Sequence, residues 1–320
     1  MMKSQRSSSL AKLAIAAITA LTILLFLLYF HPARTAALPH RVAPTESSEI
    51  ELGEISTAIN SIPEKIWYKV GSKGLCSQSQ EWMDDCLHKN PEYRSEIMTD
   101  HSGDLYVLER FSYRLDIVET YLALSVPILK ADLLRYLLLF AEGGIWYDLD
   151  VSCGDVPIRQ WIPEQFKANT NLVVGLEFDE GWGENILRQF TSWTIMAAPH
   201  SPHMMMVIED ILDAIRQKSE ENGIAVTELS LDMVGDVVDF TGPRRLTRGI
   251  LKSLALVLNE TVEMNNVSHL LDPVLISDVL VLPGYSFAAS ANRYVNKTGP
   301  ALVTHHYAGS WKNDNGGETH

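Results

Sequence analysis

The stretch "LLRYLLLFAEGGIWYDLDV", Leu133–Val151, joins an apolar helix to a short apolar strand and ends on two aspartates one residue apart. The helix reads back to Val126, and from there to Ala141 it is apolar on nearly every face, the pattern of a buried helix. Its interior polar residues are Lys130, Asp132 and Arg135. Asp132 and Arg135 stand three apart and share a face. A charged pair on a buried helix is costly unless something polar needs it. It either ties helix to sheet or points into a ligand cleft. Glu142-Gly143-Gly144 ends the helix, glycine suiting the left-handed position after the last turn. "IWYDLDV" then reads as one strand. Alternation puts Trp146, Asp148 and Asp150 on one face and Ile145, Tyr147, Leu149 and Val151 on a core face.

Strands and helices alternate around this segment. Strands are expected at Ile62–Val70, up to Asp100 in "YRSEIMTD", and at Leu172–Leu176, Val279–Leu282 and Ala301–Thr304. Helices are expected in "SQEWMDDCLHK" before Asn90-Pro91, near Leu105–Phe111 and Ile117–Leu124, and at Pro202–Lys218 and Leu246–Leu258. The alternation predicts an α/β fold with a mainly parallel sheet. Such a sheet binds ligands beyond the carboxyl ends of its strands. Two hard carboxylates there suit Mn²⁺ or Mg²⁺, which can bridge a diphosphate and neutralise charge as it leaves.

The net charge of −14 argues against non-specific nucleic-acid binding. The composition, 46% hydrophobic and 21% charged, is that of a folded chain. Leu13–Phe30 is a run of eighteen apolar or small residues. At 1.5 Å per residue it spans about 27 Å, near the thickness of a thin bilayer core. Lys3, Arg6 and Lys12 precede it, favouring a cytosolic tail (1–12), a signal anchor (13–30) and a body on the far side. A cleaved signal peptide ending near Thr35–Leu38 is the alternative. Residues 31–61 read as a stem, and 62–320 as the catalytic body. Sequons at Asn259, Asn266 and Asn296 favour the secretory pathway. Of Cys76, Cys86 and Cys153, the first two either close a short loop or stay buried thiols.

"ADLLRYLLLFAEGGIWYDLD" resembles the signature of membrane-anchored glycosyltransferases with a D-x-D sugar-binding region. Trp146-Tyr147 departs from the pair usual at that point of the signature, and stays aromatic. "SIPEKIWYKV", "NPEYRSEIMTD", "RQFTSWTIMAAPHSPHM", "FTGPRRLT" and "THHYAGSWK" extend the likeness over about Ile62–Lys312. They resemble the fungal α-1,6-mannosyltransferases that initiate outer-chain N-glycans (glycosyltransferase family 32-like). The resemblance implies a GT-A-type fold, a nucleotide-sugar donor such as GDP-mannose, a glycan acceptor, and Mn²⁺ or Mg²⁺. It gives Asp148 and Asp150 the catalytic metal and diphosphate role, and Asp132 and Arg135 contacts to the donor sugar or its phosphates. His305 or His306 would complete the metal site, with His306 taken as the ligand. Ser310 and Trp311 match a segment that closes over the nucleotide.

Trp67 is placed against the donor base, with a core position as the alternative. Glu177 and Asp179 follow a strand and would bind acceptor hydroxyls or cap a loop. Arg244-Arg245 reads as a solvated loop within reach of a phosphate. Retention of the α configuration, with no convincing carboxylate nucleophile in the sequence, points to same-face substitution assisted by the leaving phosphate. The implied setting is the Golgi membrane, single-pass type II with a lumenal body, with membership of a glycosyltransferase complex open. Three alternatives stand: a sphingolipid or other glycan acceptor, a non-catalytic subunit of such a complex, and a haloacid-dehalogenase-type phosphohydrolase. The last reads "DLDVS" and "GDVVD" (Gly235–Asp239) as its motifs.

Overall fold

The computed structural model describes residues 62–183, 186–295 and 298–309. The expected tail, anchor and stem, and with them Asn296, Ser310 and Trp311, lie outside the described residues. Among the described residues no helix is long and apolar enough to cross a membrane.

The chain is α/β. Its principal sheet runs in the order β2 (Arg94–Met98), β1 (Lys65–Lys69), β3 (Gly144–Tyr147), β7 (Thr194–Ala197), β5 (Leu172–Glu177), β9 (Val279–Leu282), β8 (Val274–Ile276). A short β6 (Gln189–Phe190) pairs with β5. β2, β1, β3, β5 and β9 point one way, while β7 and β8 run against them. The sheet is therefore mixed and mostly parallel. The reversed β7 at its centre has no turn signal of its own in the apolar run "SWTIMAA", so alternation alone does not find it.

Successive strand residues enter two different cores. Trp67, Trp146, Val174 and Ile195 pack on one face with α2 (Asp100–Arg110), α3 (Leu115–Ala123), α4 (Pro127–Glu142), α5 (Pro202–Asn222) and α6 (Pro243–Leu258). Ile66, Tyr68, Ile145, Tyr147, Val173 and Met196 pack on the other face with α1 (Ser77–Lys89). Burial on both faces explains why the central strands β3, β5 and β7 read as unbroken apolar runs. The α5–α6 pair crosses closely at Gly249, where a Cβ would stand 2.7 Å from Val207 Cγ2.

The two glycines that end α4 bring β3 against its neighbours. Gly143 has φ +67° and Gly144 φ +102°, conformations that disfavour side chains. A Cβ on Gly144 would lie 2.6 Å from the Lys65 carbonyl of β1, and one on Gly143 2.7 Å from the Ala197 carbonyl of β7. Glu142 is held by Lys65 at 2.9 Å, Tyr106 at 3.2 Å and Arg110 at 3.1 Å. Gly144→Ala is expected to lower stability by more than about 2 kcal/mol, combining strain with a backbone clash. Urea unfolding checks this, and a midpoint equal to that of the parent contradicts it.

The β8–β9 turn is fastened to the start of α5. Asp278 accepts from Asn171 Nδ2 at 3.0 Å and pairs with the fully buried His203 at 2.9 Å. Burial works against the Asp278 charge, yet the bonds from His203 and Asn171 hold its carboxyl down at about 2. Its folded value lies below its ordinary value of about 3.9, so its stabilisation is present above that pH and is lost as pH falls towards 2. Asp278→Asn should lower Tm at pH 7, and the gap to the parent should narrow between about pH 4 and 2. A gap independent of pH in thermal melts contradicts this.

Candidate active site

β3 stops at Tyr147, and the two aspartates occupy the turn that follows rather than one continuous strand. The Asp148 amide makes the last bond to the central sheet, to Trp193 O at 2.9 Å, and the chain then turns with Val151 N–H on Asp148 O at 3.2 Å. Val151 begins a separate strand, β4 (Val151–Cys153), antiparallel to β10 (Val303–His305). The expectation of one shared strand face for Asp148, Asp150 and Trp146 is corrected accordingly. Asp148 keeps the Trp146 side, where Trp146 Nε1 donates to its Oδ1 at 2.6 Å. Asp150 belongs to the β4–β10 end, its Oδ2 accepting from the Ala308 amide at 2.9 Å.

Beneath Asp148 lies Arg135, 5% exposed. Its Nη2 reaches Asp132 at 3.2 Å and Asp148 at 3.1 Å, and its guanidinium lies 5.1 Å from the Trp146 ring. Asp132 also accepts from Thr241 Oγ1 at 2.7 Å, and Tyr136 Oη donates to the Thr241 carbonyl at 3.1 Å. Both sequence readings of the Asp132–Arg135 pair hold: it ties α4 to the strand end, and it lines the cleft. Burial opposes the Arg135 charge, and Asp148 and Asp132 outweigh it, holding the guanidinium above its ordinary range. Burial pushes the carboxyls of Asp132 and Asp148 up, against the pull of Arg135. Arg135 Nε and Nη1 are buried with no hydrogen-bond partner among the described residues.

The histidine in the cluster is His305, not His306. Ligand atoms of Asp148, Asp150 and His305 lie within 4.8 Å of one another. His305 Nε2 stands 3.3 Å from Asp150, and its ring stacks on Trp193 with centroids 4.1 Å apart. His306 faces the opposite way, as the next residue along an extended chain must. It stacks on Trp82 of α1 at 4.0 Å and bonds Ser152 Oγ at 2.9 Å. His306, the ligand expected from the sequence, is therefore turned away from the aspartates. Nothing in "THHYA" itself tells which histidine faces in; the β4–β10 register, His305 opposite Val151, decides it.

Burial also opposes the Asp150 charge, but the bond and charge of His305 and the Ala308 amide hold its carboxyl below the ordinary range. Asp132, Asp148 and Asp150 set three carboxylates against one guanidinium. Two hard carboxylates and an imidazole fit a Mn²⁺- or Mg²⁺-class ion, which would relieve their mutual repulsion.

These groups open on a cleft of about 500 Å³ at the carboxyl ends of β1, β3 and β5, the place expected from the α/β pattern. Glu177 lines it. Burial pushes its carboxyl up to about 7, against a 2.6 Å bond from Gln189 Nε2. Tyr307 Oη approaches Glu177 at 3.5 Å. Asp179 does not reach the cleft: its buried side chain accepts from the His269 amide at 2.8 Å and faces Arg188, which is a loop role. Trp67 does not reach it either. It is fully buried, donates to the Gly143 carbonyl at 2.8 Å, and so secures the glycine turn instead of stacking on a base. Arg244-Arg245 is no loop. It opens α6, where Arg244 lines the cleft bound to Asp236 and Asp239, and Arg245 binds Asp210. Gln189, Trp193 and Tyr307 are cleft residues that the sequence reading missed. Gln189 sits in β6, Trp193 in the bend before β7 and Tyr307 in the tail after β10; two of the quoted blocks of likeness contain them, but their spacing gives none of them a role.

The disulfide joins Cys86 to Cys153, so Cys86 neither closes a loop with Cys76 nor stays a thiol, the two readings the sequence left open. Cys76 instead caps α1, accepting from the Ser79 amide at 3.4 Å. The bridge pins α1 to β4, and Cys153 lies opposite Val303 in the ribbon that carries His305. In a chain-entropy view a crosslink over 67 residues is worth about 4 kcal/mol. Cys86→Ser/Cys153→Ser should lose stability on that scale and show a smaller Mn²⁺-induced rise in Tm than the parent. An unchanged rise would separate the bridge from the aspartate site.

Residues 77–167 match the glycosyltransferase sugar-binding region containing the DXD motif. The chain is 30% identical over 285 residues to the initiation-specific alpha-1,6-mannosyltransferase of Candida albicans, covering 79% of this chain and 72% of that one. It is 29% identical over 289 residues to the enzyme of the same description from Schizosaccharomyces pombe, covering 86% and 69%. The chain belongs to this family of DXD glycosyltransferases. This glycosyltransferase also matches mannosyl phosphorylinositol ceramide synthase SUR1 of Saccharomyces cerevisiae, 30% identical over 92 residues, 29% of this chain and 23% of that one. Within the family, Asp148 and Asp150 are the D-x-D pair. The acidic "GDVVD" run serves Arg244, not the aspartate centre, which leaves the phosphohydrolase reading no second motif.

Proposed function

We propose that this glycosyltransferase transfers mannose from GDP-mannose to a mannose-containing glycan, forming an α-1,6 linkage with retention, on a GT-A-type fold. The observation that carries the reading is the Asp148–Asp150–His305 cluster on the cleft, with Arg135 behind it, whose Nε and Nη1 lack partners among the described residues. The likeness to two α-1,6-mannosyltransferases over most of the chain supports the transferred sugar and the linkage, whereas the likeness to the ceramide enzyme covers under a third.

Asp148, Asp150 and His305 would hold Mn²⁺ or Mg²⁺, which when bound supplies charge stabilisation to a leaving diphosphate. Arg135 is positioned to donate to donor oxygens, phosphate or sugar hydroxyl, through Nε and Nη1, which have no geometric hydrogen-bond partner among the described residues. Asp132 fixes the orientation of Arg135 and can accept from a sugar hydroxyl. Glu177, Gln189 and Tyr307 form a polar wall able to accept from and donate to hydroxyls of the acceptor. Same-face substitution asks no covalent nucleophile of the chain. The residues orient donor and acceptor, exclude water, and leave the acceptor proton to the departing phosphate oxygen. The Cys86–Cys153 bridge and the three sequons support an oxidising, secretory setting, and with the apolar segment 13–30 a type II Golgi enzyme with a lumenal body. A place in a glycosyltransferase complex is compatible with this reading.

The test is nucleoside diphosphate release by the purified protein with Mn²⁺, comparing GDP-mannose, UDP-galactose and UDP-N-acetylglucosamine, each with and without a high-mannose glycan. GDP-mannose turnover that rises with the glycan is expected. Asp150→Asn should cut it by about 10³-fold or more with the melting profile retained. Turnover of a UDP-sugar, or a fully active Asp150→Asn, overturns the assignment.

A further inference from the structure

The sequons are the motifs that the cleft does not use, and Asn259 stands apart among the described ones. It closes α6 in the left-handed conformation, φ +54°, with its own amide bonded to Ala255 O, and it is exposed. Its side chain makes no hydrogen bond among the described residues, so Nδ2 is available. At Asn266, by contrast, the side-chain oxygen accepts from the Glu263 amide at 2.8 Å inside a tight turn.

The surface beside Asn259 is apolar. The buried face of α6 follows Leu246, Ile250, Ser253 and Leu254, and the helix then runs past the core. Leu256 is 67% exposed, Val257 52% and Leu258 37%, all within three residues of Asn259. Three consecutive apolar side chains in solvent are unusual on a soluble surface unless something covers them. The other end of the same helix, at Gly242, Pro243 and Arg244, lines the cleft. At 1.5 Å per residue Asn259 stands about 24 Å from Pro243, so a large adduct there leaves the cleft open.

We propose that Asn259 carries an N-linked glycan that covers the apolar end of α6. In the transfer, Asn259 Nδ2 attacks the anomeric carbon of a lipid-linked oligosaccharide diphosphate. A C–N bond forms, the C–O bond to phosphate breaks with its electron pair leaving on the lipid diphosphate, and the proton lost from the amide passes to solvent. The inference rests on the lumenal placement of the body proposed above.

The test uses the full chain expressed in a eukaryotic cell and recovered in sealed microsomes. Protease protection and thiol labelling report on topology, and peptide-N-glycosidase in heavy-oxygen water marks each glycosylated asparagine as labelled aspartate. Labelled aspartate at position 259 is expected, with Thr261→Ala losing one glycan's mass shift while keeping the Asn259 cap and the transferase rate. An unmodified Asn259 in a protected body with Cys86 and Cys153 oxidised overturns the proposal and leaves the lumenal reading standing. A body digested from outside the microsomes, with both cysteines labelled, overturns the lumenal reading itself and the proposal with it.

Discussion

The site depends on one buried cation. Arg135 is almost fully enclosed and bridges Asp132 on its own helix to Asp148 at the strand end. Enclosing a guanidinium is expensive, and removing one partner of such a group typically costs about 3–5 kcal/mol. The helix therefore cannot shift without exposing an unpaired charge, and Asp148 inherits its rigidity. Thr241 and Tyr136 extend the restraint to the segment ahead of α6, which forms the far wall of the cleft. The same arrangement leaves two guanidinium nitrogens, Nε and Nη1, without hydrogen-bond partners among the described residues, which suits a site that receives an oxygen-rich anion.

The second restraint comes from the other side of the turn. Asp150 and His305 are delivered by the β4–β10 ribbon, which lies outside the main sheet and is stapled to α1 through Cys86–Cys153. His305 and His306 then occupy opposite sides of one extended segment. One stacks on Trp193 at the cleft and the other on Trp82 of α1. The three clustered groups thus meet at a junction of two separately braced elements: the α4–β3 unit supplies Asp148, and the ribbon supplies Asp150 and His305.

Much of this was legible in the sequence, for local physical reasons. The all-round apolar helix, the glycine pair and the charged pair three residues apart gave α4, its end and the Asp132–Arg135 contact. Long helices with clear periods, such as α1, α5 and α6, fell close to their expected spans. What could not be read depends on pairings distant in the chain. β7 hides in an apolar run, and its antiparallel place between β3 and β5 is set by tertiary contacts. The Cys86–Cys153 pairing and the inward histidine both follow from a ribbon joining residues about 150 apart, which no local period encodes. Trp67 looked like a ligand residue for its type and strand. The close β1–β3 approach at Gly144 claims it for the core.

On the proposed function, Asp148, Asp150 and His305 would form one divalent-cation site. Nitrogen hyperfine coupling to Mn²⁺ bound by the protein tests it most directly, because only an imidazole ligand produces that signal here. Coupling from one histidine is expected, lost in His305→Ala and kept in His306→Ala. Coupling that persists in His305→Ala, or disappears in His306→Ala instead, would contradict it.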